Sequence, residues 1–483
     1  MIPMEELTVS GIRRMLENGQ ATSRELVLNY MERIARIDKS GPMLNSVLEL
    51  NPDALYIAEA MDRERAKGKV RSPLHGIPIL LKDNINTRDK MRTSAGSLAL
   101  ADNFAPYDAF IVTRMRRAGL VIMGKTNMTE LANWMSYHMR NGYSSRGGQV
   151  INPYNPEGDV WGSSSGSAVA VSANLCALAV GTETDGSIIW PSHMNGTVGI
   201  KPSRGLVSRH GIIPICTAQD TAGPMTRTVA DAAALLNVLA GEDEEDPSTW
   251  CRDTPRDYTD YLDADGLRGL RLGINRGYCD DFSEEQKAVA EGAYRVMERC
   301  GAILVQDTNL PHLRSDSSIL LYEFKMCLNA YLSTNPALKC RTLKEIIDFY
   351  GDHPKEGLKY GMGILLDAEY NTSGTCTDPK YILDKAACQR GAQEEGLLKL
   401  MDGHKLDVLV CPGITDCSPI SGYPSIIVPA GYTSDNMPFG VTFVGRPFSE
   451  PTLIRAAYSF EQAARARRAP EFEGINTDTV PGI

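Results

Sequence analysis

Short apolar runs alternate with helical patterns along much of the chain. Residues 77–82 are almost entirely apolar and predict a buried strand that ends at Lys82. Residues 108–118 have the period of a helix instead, and Gly119 follows them as a typical helix terminator. The same patterns predict further strands at 120–123, 177–180, 406–411, 425–429 and 439–444, and helices at 8–19, 25–37, 167–176, 284–300, 342–350 and 452–467. Helices that alternate with buried strands predict an α/β fold.

These elements predict one large domain, residues 1–483. Its mixed, mostly covered central β-sheet would be flanked by helices on both faces and built from both ends of the chain. The predicted parts are N-terminal helices at 1–69, a core at 70–235, a variable cap of helices and loops at 236–400, a return to the sheet at 401–470 and a tail at 471–483.

Composition narrows the class of protein. Apolar residues make up 42% and charged residues 23%, which are ordinary globular values. The net charge of −10, without a long basic run, argues against a nucleic-acid partner. The 11 cysteines form no CxxC pair, there is no HExxH motif, and no apolar run approaches the ~20 residues of a membrane span. We therefore expect a cytoplasmic protein with reduced thiols, no metal, no cofactor and no membrane association.

Residues 119–126 match the phosphate-loop pattern G-x-x-x-x-G-K-[ST], with Lys125 as its lysine. A phosphate loop needs flexible backbone after a strand, whereas here the intervening residues are themselves the predicted strand. Gly119 is better explained as the end of a helix. A nucleotide-binding protein is therefore a weak alternative, which would bind ATP through Lys125.

Residues 162–166 match the nucleophile elbow G-x-S-x-G, with Ser164 in its centre. An elbow follows a buried strand, but residues 151–159 contain prolines and a glycine typical of a loop. His404 is the downstream histidine that a Ser-His-Asp hydrolase would use. This hydrolase is a second alternative.

Several motifs occur in one order along the chain, and together they resemble the amidase signature family of serine hydrolases. They are HGIPILLKDN at 75–84, GKTN at 124–127, GSSSGS at 162–167, GTETDGSI at 181–188, GIKP at 199–202, DTAGP at 220–224 and TVAD at 228–231. The similarity is dense from about residue 70 to 235 and returns at 422–445.

The resemblance implies a catalytic triad of Lys82, Ser163 and Ser187. Ser187 would be the nucleophile, Ser163 the bridging serine after a cis peptide bond to Gly162, and Lys82 the base. A serine hydroxyl attacks well only when a base takes its proton. A lysine serves as base only when it is neutral, and burial at the end of an apolar strand would lower its pKa in that direction.

The family also implies an oxyanion hole made of backbone N–H groups. In this chain those groups belong to Thr184, Asp185, Gly186 and Ser187. Losing one such donor typically costs about 100-fold or more in rate. The implied chemistry needs no metal and no cofactor.

Departures from the common family pattern bear on the substrate. Many members have an arginine shortly after the nucleophile, where this chain has Ile188, Ile189 and Trp190. Its loss argues against small acidic substrates and weakens a role as a tRNA-linked glutamine amidotransferase subunit. The amino-acid sequence is most similar to the peptide amidase branch at residues 162–171, 181–188 and 141–149. This resemblance implies release of ammonia from a C-terminal peptide amide.

Other substrates and roles stay open. Trp134, Tyr137 and Trp190 could line an apolar pocket for the acyl group, and Asp185 could meet a substrate N–H or amine. Aryl amides, fatty amides, esters and carbamates would use the same triad. An inert scaffold or complex subunit is a further alternative, although it would not need the three triad residues together. We expect a small-molecule or short-peptide partner and a monomer or homodimer.

Overall fold

A large mixed sheet forms the centre of the computed structural model, which describes residues 4–250, 255–277, 279, 281–310 and 318–472. Within these residues the sheet has 11 strands, in the order β1-β3-β2-β6-β8-β7-β12-β13-β11-β9-β10. The strands are β1 (Val47–Leu50), β2 (Pro78–Lys82), β3 (Val121–Thr126), β6 (Leu178–Glu183), β7 (Val198–Lys201), β8 (Thr221–Thr226), β9 (Arg271–Ile274), β10 (Ile303–Val305), β11 (Val408–Pro412), β12 (Ser425–Tyr432) and β13 (Pro438–Val444), and a separate ribbon pairs β4 (Tyr143–Ser144) with β5 (Gly148–Gln149). Of the predicted tail at 471–483, residues 473–483 lie outside the described residues.

Helices pack against this sheet and cover it. They are α1 (Val9–Glu17), α2 (Ser23–Arg33), α3 (Ala54–Ala66), α4 (Phe110–Ala118), α5 (Ser165–Ser172), α6 (Ile189–Met194), α7 (Val229–Leu239), α8 (Glu284–Arg299), α9 (Ser318–Ser333), α10 (Leu343–Asp352), α11 (Pro354–Gly357), α12 (Gly363–Tyr370), α13 (Pro379–Ala392), α14 (Lys399–His404), α15 (Cys417–Ser421) and α16 (Glu450–Ala464). Every residue of β2, β3, β6, β8, β11 and β13 is buried. The predicted single-domain α/β fold with a covered mixed sheet is confirmed.

The start of the chain differs from the predicted run of helices. Residues 47–50 form the edge strand β1, which pairs antiparallel with β3. Only Val47 of this strand is fully buried, so the apolar signal is weak. A four-residue edge strand with one buried side chain depends on its partner strand and has little pattern of its own.

The region 236–400 also does more than cap the sheet. The strands β9 and β10 extend one end of the sheet, and β9 runs parallel to both β10 and β11. The helical layer proper begins with α9. Apolar side chains of α9, α10 and α12 form a second core with the loops at 95–100, 128–135 and 213–218.

Among the described helices, none combines the length and the apolar character that crossing a membrane requires.

Candidate active site

Three parallel strands end at the edge of the sheet where Lys82 and the turn that carries Ser187 lie. β3, β2 and β6 are neighbours, and β2 runs parallel to both. Lys82 is the last residue of β2, and the turn that carries Ser187 follows the last residue of β6. Because the carboxyl ends of parallel strands meet at one edge, the strand order brings together residues that are far apart in sequence.

The Lys82 amine is completely buried beside Ser163. Its Nζ lies 2.7 Å from the Ser163 Oγ and donates to the main-chain oxygen of Thr182 at 3.1 Å. Burial lowers the pKa of Lys82 well below its usual value of 10.5, although the charges of Glu183 and Asp220 act in the opposite direction. A neutral amine has a free lone pair, so Lys82 can accept the Ser163 proton.

Hydrogen bonds hold the serine-rich loop beside Ser187, the predicted nucleophile. The peptide bond between Gly162 and Ser163 is cis. The main-chain oxygen of Ser163 accepts from the Thr129 N–H at 3.1 Å, and the N–H of Ser164 donates to the main-chain oxygen of Ser187 at 3.2 Å. The structure therefore brings all three predicted triad residues to one place.

Ser164 is hydrogen-bonded to the end of β6. Its hydroxyl donates to the main-chain oxygen of Thr182 at 3.0 Å and accepts from the Thr182 N–H at 3.2 Å. The side chain is completely buried, and a loop precedes it where an elbow would need a strand. His404 is exposed in α14. The geometry gives the Ser164 alternative no support.

The residues of the phosphate-loop motif also make contacts within the fold and are not available to a phosphate. Gly119 ends α4 with a φ of +85°, and a Cβ there would lie 2.5 Å from the His75 Nδ1. The Lys125 amine is buried and donates to the main-chain oxygen of Ile85 at 2.5 Å and to the Thr93 Oγ1 at 2.9 Å. The residues between Gly119 and Lys125 lie mainly in β3, so no loop is available to surround a phosphate.

Glu183 shapes the turn that carries Ser187. Its Oε2 accepts from the N–H groups of Ile188 at 2.7 Å and Ile189 at 3.0 Å, which fixes the start of α6 against the end of β6. Burial raises the pKa of Glu183, although the charge of Lys201 and the nearby N–H groups act in the opposite direction. Ser187 itself is 7% exposed and lies in the wall of a cavity.

Three of the four predicted oxyanion donors are available. Within the described part of the chain, the N–H groups of Thr184, Asp185 and Ser187 donate no hydrogen bond to protein. Gly186 has a φ of +78°, and a Cβ there would overlap with the indole ring of Trp190. This position therefore needs glycine for both conformational and steric reasons.

The cavity over Ser187 measures about 260 Å³ and has three tryptophans in its wall. Trp134 and Trp190 line it, as the sequence predicted for a substrate pocket. Trp161 joins them because it stacks on Trp190, with ring centroids 3.4 Å apart and an interplanar angle of 27°. Sequence pattern alone gave Trp161 no place in the pocket, because its position in the wall depends on the contact with Trp190.

Tyr137 is not part of this cavity. Its ring is 61% exposed, and its hydroxyl donates to the Asp367 Oδ2 at 2.6 Å. The prediction that Tyr137 lines the substrate pocket is therefore wrong in this structure. The contact with α12 explains the difference, because Asp367 holds the Tyr137 hydroxyl outside the cavity. The cavity wall itself includes Ala132 and Asn133, which have positive φ values of 58° and 69°.

The polar part of the wall is acidic. Asp185 and Asp416 both line the cavity, and no lysine, arginine or histidine is found among its described lining residues. Asp185 is accessible from the cavity, but the surrounding protein raises its pKa to about 7 by burial, and the charges of Asp416 and Glu183 add to this effect. Such a wall disfavours anionic substrates. The described residues contain no group of His, Cys, Asp or Glu side chains arranged to hold a metal ion.

Comparison with known proteins places this geometry in one family. The amidase family model matches residues 25–420. The crystal structure of native peptide amidase from Stenotrophomonas maltophilia superimposes with a TM-score of 0.92 at 44% identity, covering 98% of this chain and 99% of that one. An amidase family protein from Bacillus anthracis gives a TM-score of 0.93 at 40% identity, covering 97% of this chain and 93% of the other.

A curated relative from Arabidopsis thaliana, also named as an amidase, is 40% identical over 97% of this chain and 92% of its own length. The family model, this relative and the two solved structures agree over almost the whole chain. The chain belongs to the amidase family and is a hydrolase that acts on carbon–nitrogen bonds of amides other than peptide bonds.

Proposed function

We propose that the protein hydrolyses a primary carboxamide, such as a C-terminal peptide amide, through a triad of Lys82, Ser163 and Ser187. The observation that carries this proposal is the buried Lys82 amine, 2.7 Å from the Ser163 hydroxyl, in a loop that bonds to the main chain of Ser187. A neutral base, a bridging hydroxyl and a nucleophile in the wall of a cavity are the parts that acyl transfer needs.

In the first half of the reaction, the Ser187 Oγ attacks the amide carbon. Its proton passes to the Ser163 Oγ while the Ser163 proton passes to the Lys82 Nζ. The carbonyl oxygen becomes an oxyanion, and the free N–H groups of Thr184, Asp185 and Ser187 are available to donate to it. The carbon–nitrogen bond then breaks, the proton returns through Ser163 to the nitrogen, and ammonia leaves.

In the second half, water attacks the ester formed between the acyl group and Ser187. The same relay takes a proton from this water and returns one to the Ser187 Oγ, so the acid leaves and the enzyme is restored. Every proton removed by Lys82 is given back within one turnover, so no metal or cofactor enters the balance.

The cavity and the relatives both support this substrate class. The two carboxylates and the tryptophan wall favour a neutral or cationic acyl group with apolar surface over an anionic one. A solved relative at 44% identity is named peptide amidase, which supports the C-terminal amide of a peptide as the substrate. Aryl amides, fatty amides, esters and carbamates are competing substrates for the same triad.

The test begins with a fluorophosphonate probe, which reacts with activated serines, and locates the label by peptide mass spectrometry. We expect label on Ser187, none after Ser187→Ala, and very slow labelling after Lys82→Ala. Label on Ser164 would contradict the assigned nucleophile, and an unlabelled wild-type protein that also leaves every amide intact would contradict the proposed function.

A substrate panel then separates the classes of leaving group. Ammonia release from a short peptide amide is compared with turnover of the matched anilide, ester and fatty amide, with the free peptide acid as blank. We expect the peptide amide to have the highest kcat/KM. A preference of tenfold or more for the anilide or the fatty amide would replace the proposed substrate class while leaving the triad intact.

A further inference from the structure

A carboxylate from the helical layer contacts the loop at residues 215–220, which lies next to the turn that carries Ser187. Glu323 lies on α9 and is completely buried. Its Oε2 accepts three hydrogen bonds from this loop, from the Thr217 N–H at 2.7 Å, the Thr217 Oγ1 at 2.8 Å and the Ala218 N–H at 3.1 Å. One oxygen atom thus fixes two successive residues of the loop.

The other carboxylate oxygen is held by α13. The Glu323 Oε1 accepts from the Tyr381 hydroxyl and from the Lys385 Nζ, each at 2.7 Å. Burial by itself would raise the pKa of Glu323, but the hydrogen bonds from Lys385, Tyr381 and Thr217 and the charge of Lys385 outweigh it and bring the pKa below its usual value. Glu323 is therefore ionised at neutral pH and joins α9, α13 and the loop.

The next two residues of the loop, Gln219 and Asp220, bind Thr184. Thr184 begins the turn at residues 184–187 that carries the predicted oxyanion donors, here called the oxyanion turn. The Gln219 Nε2 donates to the main-chain oxygen of Thr184 at 3.0 Å, and the Thr184 Oγ1 donates to the Asp220 Oδ1 at 2.5 Å. The other oxygen of Asp220 accepts from the N–H groups of Ile215 and Cys216 at 2.9 and 3.0 Å. Hydrogen bonds therefore hold Thr184 through both its main chain and its side chain.

We propose that Glu323 is a positioning residue for the oxyanion turn, acting through Thr217, Ala218, Gln219 and Asp220. This inference rests on the proposed function, because it concerns the N–H groups that would meet the oxyanion. Such donors work only when they already point to the site where charge develops, so a small displacement of Thr184 weakens them in the transition state. The same loop contributes Ile215 and Gln219 to the cavity wall, so we expect a large effect on the maximal rate and only a small one on the apparent affinity.

A purely structural role of Glu323 predicts something different. Removing a buried carboxylate with five hydrogen bonds lowers the Tm in either case. Only the positioning role also lowers the maximal rate at temperatures where the variant is fully folded. Glu461 provides a control from another part of the molecule, because its Oε1 accepts from the Val229 N–H at 2.8 Å on the α7–α16 side and it does not line the cavity.

The experiment measures covalent labelling of Ser187 by a fluorophosphonate over a range of probe concentrations. The maximal labelling rate is separated from the half-saturating concentration for wild type, Glu323→Leu, Glu323→Gln and Glu461→Leu. Folding is checked by circular dichroism at the assay temperature. The full-length protein is used throughout.

We expect Glu323→Leu to lower the maximal rate about tenfold or more, with the half-saturating concentration within about threefold of wild type. Glu323→Gln should restore most of the rate, because its amide oxygen can still accept from the Thr217 and Ala218 N–H groups, although its NH₂ can no longer accept from Tyr381 and Lys385. Glu461→Leu should lower the Tm and leave the rate unchanged. Equal maximal rates for folded Glu323→Leu and Glu461→Leu would overturn the inference.

Should Glu323→Leu fail to fold, Thr217→Val removes one of the three bonds to the Glu323 Oε2. We expect it to lower the maximal rate about threefold, since two of three bonds remain, and an unchanged rate would overturn the inference in the same way. A wild-type protein without label on Ser187 would instead contradict the proposed function, so the two failures are distinguishable.

Discussion

Replacing Lys82 by methionine separates its chemical role from its structural one. Methionine has nearly the same length and volume as lysine but no amine. Loss of a general base typically costs 10²–10⁴-fold in rate, which corresponds to about 3–5 kcal/mol of barrier height. We therefore expect Lys82→Met to slow the labelling of Ser187 by a fluorophosphonate by at least about 100-fold.

At a pH near 10.5, where folding no longer has to remove a proton from most of the Lys82 side chains, the same substitution should change stability very little. It removes two hydrogen bonds, to Ser163 and Thr182, each worth about 0.5–1.5 kcal/mol. It also removes the cost of burying a polar group, about 1–3 kcal/mol, so the two contributions nearly cancel. The Thr182 oxygen keeps the Ser164 hydroxyl as a partner. We expect the Tm to change by only a few degrees.

The pH dependence has a defined sign. Because the pKa of the buried Lys82 lies well below 10.5, the labelling rate should rise with pH as the amine loses its proton and reach its plateau well below pH 10.5. In the window between the two pKa values, the unfolded chain holds a proton on Lys82 that the folded protein does not. Any stability gained in Lys82→Met should therefore shrink as the pH rises towards 10.5.

Lys125 is the matched control, because it is equally buried and its pKa is lowered by burial to about 8. It donates to Ile85 and Thr93 and has no place in the triad. Lys125→Met should keep the wild-type labelling rate. If Lys82→Met is labelled within threefold of the wild-type rate, or if Lys125→Met loses as much activity as Lys82→Met, the assignment of Lys82 as the base is refuted.

Three further substitutions test neighbouring parts of the site. Gly186→Ala should lower the rate of Ser187 labelling at least about 100-fold, because the φ of Gly186 is positive and the new Cβ would overlap with Trp190. A normal labelling rate would mean that the turn is not rigid. Ser164→Ala should lower the free energy of unfolding by about 1–3 kcal/mol through its lost bonds to Thr182, while labelling persists; lost labelling at an unchanged Tm would restore Ser164 as nucleophile. Tyr137→Phe should leave both the maximal rate and the half-saturating probe concentration within about twofold, as expected for an exposed residue outside the cavity, and a larger effect on either would return it to the substrate pocket.

By itself, the sequence was enough to predict the fold class and to propose the triad. The strands β2 and β3 are nearly continuous apolar runs and α4 has a regular helical period, so local pattern predicts them. The motifs around Lys82, Ser163 and Ser187 are recognised by their residues and by their order along the chain. They can therefore also be found without the tertiary structure. The edge strand β1, which has a single buried residue, carries too weak a pattern to be seen.

Only the tertiary structure decided how these residues meet. The order β3-β2-β6 brings Lys82 to the end of the strand next to the Ser187 turn. The stack of Trp161 on Trp190 builds the cavity wall, and the hydrogen bonds of Glu323 tie the helical layer to the turn. The physical reason is that periodicity and propensity act over a few residues, whereas these contacts depend on strand order and helix packing between segments tens to hundreds of residues apart.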